Sequence, residues 1–194
     1  MSDIDLLARI LSRTGDLVEG VRPDQLSLPT TCESYDVEAL RNHLVGWLRV
    51  FEAGCEDRAY EGDPADHVCG DDPAGEFRSA AAGLVAGWRN HGFDRRVRVM
   101  KGELPGPMVF DMALMEYLGH GWDLAVATGQ AVPFTEEEAA QVLERARVTL
   151  PPQFRGEGKA FGEIVPVAED APAMDRFVGF LGRDPGAVRH TGSA

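Results

Sequence analysis

Residues 107–128 read PMVFDMALMEYLGHGWDLAVAT. Wound at about 3.6 residues per turn, this segment is apolar around nearly its whole circumference, the mark of a helix buried on most sides. Pro107 suits a first helical turn and Gly129 an exit, so a helix is expected over about Pro107 to Thr128. Three ionisable residues need explaining against that background: Glu116, His120 and Asp123. At about 100° per residue, His120 falls roughly 40° from Glu116, and Asp123 roughly 20° to its other side. Val109, Met112, Ala113, Gly119 and Ala127 share or flank the same stripe. An unpaired carboxylate buried there costs several kcal/mol, and a bound cation offsets that cost.

The rest of the chain supplies further helices. One is expected from about Val37 to Asp57, capped by Ser34 or Asp36. Val37, Leu40, Leu44, Trp47 and Phe51 form its apolar stripe, and His43 lies roughly 60° from Leu40, at or beside the core. If this helix faces the 107–128 helix, His43 meets Glu116 and His120. A helix from Asp3 to Val21 follows Ser2, and another opens at Asp72-Pro73 and extends to Asn90. Arg95 to Lys101 alternates charged and apolar residues and reads as a short strand, whereas Leu104-Pro105-Gly106-Pro107 reads as a loop. Thr135 to Glu138 is a capping box opening a fifth helix to about Val148, which Pro151-Pro152 ends. A last short helix spans about Pro172 to Leu181. The expected fold class is mainly α, a four-helix bundle with a short strand element and a small C-terminal tail. The expected division is a metal-binding bundle at 1–150 and a C-terminal extension packed on it at 151–194.

Composition narrows the function classes. The 194 residues are 44% hydrophobic, enough for a sizeable core. A formal net charge of −13 repels phosphate backbones and anionic lipid, so neither nucleic acid nor a membrane surface is expected as partner. Cys32, Cys55 and Cys69 form no C-x-x-C pair, which argues against a zinc ribbon, and their odd number argues against a disulfide framework. No secretory leader is read in MSDIDLLARI, and a cytoplasmic location is expected.

Two imidazoles and one carboxylate are what a catalytic zinc-type site uses, with a fourth position open for water or substrate. The E-x-x-x-H spacing puts two ligands one turn apart on one rigid element. Asp123, a further turn along, can accept the second N–H of His120 and hold its tautomer. A lone histidine on a buried face is more commonly a hydrogen-bonded core residue, and E-x-x-x-H is often a surface contact. The apolar surroundings of Glu116 raise the metal reading to equal standing with these, and the residues alone leave both open.

LPTTCESYDVEALRNHLVG (Leu28 to Gly46) and MEYLGHGWDLAVATG (Met115 to Gly129) resemble the DinB/YfiT-like metal-binding bundles. More narrowly they resemble the mycothiol-dependent maleylpyruvate isomerase N-terminal domain family. The pattern P-T-x-C-x-x-x-D-V before the histidine and W-D-L-A-x-A-T-G after E-x-x-x-H carry the likeness, and FGEIVPVAEDAPAMDRFVGFLGRDP (Phe161 to Pro185) is similar to the closing segment of short members. The resemblance implies a divalent metal ion, zinc most often, on His43, Glu116 and His120. It also implies mycothiol as a thiol cofactor whose metal-bound thiolate adds to a small electrophilic substrate, in an S-transferase or isomerase. Full-length isomerases carry a second, mixed α/β domain, whereas about 45 residues follow the fifth helix here, so that domain's substrate contacts do not transfer. Two other functions stay open: a non-catalytic, stress-associated bundle that binds metal or ligand, and a hydrolase using metal-activated water, for which no separate general base is read. Bundles of this class also pair through helix faces, making a homodimer a candidate assembly.

The remaining polar residues have plainer readings. Cys32 precedes the second helix, where the helix dipole can depress a thiol pKa, though small packing material is its more common role. Cys55 and Cys69 are read without a catalytic role. His67, His91 and His190 are read as solvated. Arg95, Arg96 and Arg98 suit an anionic ligand, but a solvated strand face is the preferred reading. Arg183-Asp184-Pro185 reads as a local cap or salt bridge, and Trp47 and Trp122 as core that could line a pocket.

Overall fold

The computed structural model describes residues 2–32, 34–156, 159 and 161–186. They form two compact units, Met1–Ala131 and Val132–Ala194. The first unit holds α1 (Asp3–Glu19), α2 (Val37–Cys55), α3 (Pro73–His91), a hairpin of β1 (Arg96–Val99) and β2 (Gly102–Pro105), and α4 (Gly106–Thr128). Each helix packs on two others: α3 lies against α1 and α2, and α4 lies against the same two. α2 and α4 are therefore direct neighbours. The fold is the four-helix bundle expected from the residues, with a two-stranded appendage.

Local chemistry sets the helix boundaries. Ser2 and Asp5 form a reciprocal capping box at the start of α1. The carboxylate of Asp36, not the hydroxyl of Ser34, caps α2 by accepting from the Ala39 N–H at 2.8 Å. Asp72 caps α3 ahead of Pro73. Gly129 leaves α4 in the left-handed conformation, φ 68°, a region costly for residues with a Cβ.

The hairpin corrects the loop read at 104–107. Val97 pairs with Leu104 and Arg96 with Pro105 in an antiparallel register. Proline is tolerated because it ends the second strand. Arg95 is also corrected. Its guanidinium is mostly buried, donating at 2.8 Å to the carbonyl of Cys55, the last residue of α2, and pairing with Asp57. It satisfies an open carbonyl at the negative end of the helix rather than facing solvent. Arg96 and Arg98 are exposed as expected.

The second unit holds α5 (Glu136–Thr149) and α6 (Ala173–Phe180), which pack together. Thr135 and Glu138 form the expected capping box, and the Glu136 carboxylate accepts from the Ala173 N–H at the start of α6. Arg155 lies 4.2 Å from the centre of the Phe180 ring and donates to the Phe180 carbonyl. Compactness thus groups α5 with the C-terminal segment. No helix among the described residues is long and apolar enough to cross a membrane.

Candidate metal centre

α4 is buried along most of its length and presents Glu116 and His120 one turn apart toward α2. Across the α2–α4 seam stands His43. Its Nε2 lies 2.7 Å from Glu116 Oε1, and Nε2 of His120 lies 3.8 Å from the same oxygen. One ligand atom from each of the three lies within 4.8 Å of the others. The side chains of His43, Glu116 and His120 are 14%, 20% and 12% exposed, enough for a small opening to solvent. Among the described residues this is the group of His, Cys, Asp and Glu side chains close enough together to hold a metal ion.

Both imidazoles are held from behind. His120 Nδ1 lies 2.8 Å from Asp123 Oδ2. An ionised carboxylate only accepts, so this nitrogen carries the proton and Nε2 turns its lone pair toward Glu116. Asp123 is fully buried, and Thr31 donates its hydroxyl to the other oxygen at 2.5 Å. His43 Nδ1 lies 2.9 Å from the Tyr35 hydroxyl, and the two rings touch at a tilt of 39° with centroids 4.6 Å apart. Burial raises the Tyr35 phenol pKa, with the nearby Cys32 and Glu116 charges adding to the rise. Trp47 borders His43 with ring centroids 6.3 Å apart.

Thr31 and Tyr35 carry no signal in helical periodicity. Both sit in the loop ahead of α2, closed by a bridge between Pro29 and Asp36 and by the Thr30 hydroxyl, 2.8 Å from the Tyr35 carbonyl. Only the folding of that loop over α4 brings them to the site. Cys32 shares the loop and lies close enough to Tyr35 to perturb it.

The other singled-out residues lie elsewhere. Cys55 is buried at the end of α2, its thiol pushed up to about 12 by burial. Cys69 is pushed up to about 11, again mainly by burial. Its sulfur lies 3.8 Å from His67 Nε2, which is also 3.6 Å from Glu76. His67, expected to be solvated, has a side chain only 12% exposed, because its turn folds against Gly46 of α2. A Cβ at Gly46 would lie 2.5 Å from the Pro64 carbonyl oxygen, so the turn needs the glycine. His91 is exposed, and His190 lies outside the described residues. Trp122 is core, and Asp184 accepts locally from the Gly186 N–H at 2.8 Å.

The donor set fits a divalent cation of the zinc class: two nitrogens and one carboxylate oxygen converge, and a buried carboxylate stands behind one ring. Two uncharacterised proteins of Mycobacterium tuberculosis, from strains CDC 1551 / Oshkosh and ATCC 25618 / H37Rv, are each 34% identical to this chain over 172 residues, covering 86% of it and 90% of their own length. No solved structure matches. The family described as mycothiol maleylpyruvate isomerase N-terminal domain matches residues 7–125, a span that contains the whole α2–α4 constellation. By that match the chain belongs to the mycothiol maleylpyruvate isomerase N-terminal domain family.

Proposed function

We propose that the protein binds a divalent metal, zinc by preference, through His43, Glu116 and His120, and with it uses mycothiol in S-transfer to, or isomerisation of, a small electrophile. The convergence of both Nε2 atoms on Glu116 Oε1, at 2.7 and 3.8 Å, carries this reading. When bound, the cation supplies acidity: it lowers the pKa of a coordinated thiol toward neutrality.

The chain's own groups set the conditions for that chemistry. Glu116 contributes one negative charge and the two neutral rings none, so the ligand set leaves a divalent ion one net positive charge, which favours an anionic fourth partner. Asp123 keeps His120 in the tautomer that aims its lone pair inward. Trp47 and the Tyr35 ring flank His43 with apolar surface, limiting water around it. With three protein ligands, one position remains for the thiol.

Elemental analysis of purified protein, with mycothiol titrated before and after chelation, tests the reading. Stoichiometric metal and chelator-sensitive thiol binding are expected, and His43→Ala and His120→Ala should each lose the metal while keeping helical content. Stoichiometric metal in both variants would overturn the ligand assignment. Turnover of an electrophile without thiol would point to hydrolysis instead.

A further inference from the structure

The two imidazoles of the site are not equivalent, and the difference lies behind them. His120 faces a carboxylate at Nδ1, so its liganding tautomer is already set. His43 faces a hydroxyl at Nδ1 and a carboxylate at Nε2. A carboxylate only accepts, so in the neutral ring without metal the proton sits on Nε2, toward Glu116, and Nδ1 accepts from the Tyr35 O–H. A ring in that tautomer has no lone pair to offer a cation at Nε2.

Resting on the metal reading above, we propose that Tyr35 is a positioning residue whose hydrogen bond to His43 reverses direction on metal binding. The proton balance is closed through water: the Nε2 proton leaves to solvent as the cation arrives, and Nδ1 takes one proton up from solvent, so none is released net. The Nε2–H of His43 is lost and an Nδ1–H is gained, so the ring stays neutral. Glu116 gives up an accepted hydrogen bond as it becomes a ligand. The Tyr35 oxygen changes from donor to acceptor, and its own O–H turns to solvent, which the half-buried side chain reaches. A hydroxyl can serve both tautomers where a carboxylate or an amine serves only one. The N–H of a coordinated imidazole is more acidic, so the reversed bond is the stronger of the two and favours the loaded state. The Thr30 hydroxyl and the Pro29–Asp36 bridge hold the loop so that Tyr35 stays within 2.9 Å of the ring.

Tyr35→Phe separates the hydroxyl from the ring, because the tilted ring contact with His43 is kept. Zinc affinity is read by competition with a chromophoric chelator, and the tautomers by long-range proton–nitrogen spectra of the histidine rings. In the wild-type protein His43 should change from Nε2–H to Nδ1–H when zinc is added, while His120 keeps Nδ1–H throughout. Tyr35→Phe should bind zinc about tenfold more weakly or worse, with an unchanged circular dichroism spectrum. Wild-type zinc affinity in Tyr35→Phe, or a His43 already Nδ1–H without metal, would overturn the role of Tyr35 and leave the metal site standing. A wild-type protein that takes up no zinc would overturn both.

Discussion

Asp123 and His67 show how single residues resolve the conflict between charge and burial. Asp123 has no contact with solvent, yet Thr31 donates to one of its oxygens and His120 to the other, so the carboxylate's cost of burial is offset by charged hydrogen bonds. His67 takes the other route. Burial lowers its pKa below the ordinary 6.5, the Arg49 charge lowers it further, and Glu76 opposes both without winning. The folded state therefore resists a proton that the unfolded chain accepts. The stabilisation is present above 6.5 and declines as pH falls from there through the folded pKa. Chemical denaturation at about pH 7.5 and about pH 5.5 should show a larger loss of stability for wild type than for His67→Gln. Equal losses in the two proteins would show that His67 is not the group responsible.

At the scale of elements, α2 is approached closely from outside the bundle at two points, and both need a missing side chain. Gly46 admits the turn carrying His67, and a Cβ at Gly54 would collide with the Arg98 carbonyl of β1. Alanine is a better helix former than glycine by about 1 kcal/mol, so propensity alone makes Gly54→Ala stabilising. The clash is with backbone, which cannot swing aside as a long side chain can. A net destabilisation of about 1–2 kcal/mol is expected, read as a lower urea midpoint at unchanged slope. A raised midpoint would mean that the hairpin gives way at little cost. Arg95 works at the same junction, tying the start of the hairpin to the end of α2. Together Gly54 and Arg95 join the C-terminal end of α2 to the hairpin.

For the molecule as a whole, the candidate metal site spans two helices of the Met1–Ala131 unit, with His43 and Glu116 73 residues apart in sequence. A cation bound only by the folded form stabilises that unit by mass action, about 2.7 kcal/mol when free zinc is a hundredfold above its dissociation constant. Hydrogen exchange in α2 and α4 should slow on adding zinc and return on chelation; unchanged exchange would deny the link between the site and the bundle. Much of this architecture was readable beforehand. Apolar spacing, Ser2, Asp72, the Thr135–Glu138 box and Gly129 act over three or four residues, so the helices, and the angular placing of Glu116, His120 and Asp123 on one of them, follow from local order along the chain. It also put His43 on a core-facing stripe. Packing set the rest: α2 and α4 as neighbours, a loop without periodicity that brings Tyr35 to His43 and Thr31 to the Asp123 behind His120, and the inward turn of Arg95 and His67. Local hydrogen bonding and periodicity report the winding of a segment, whereas side-chain partners across a seam depend on which surfaces the packed bundle brings together.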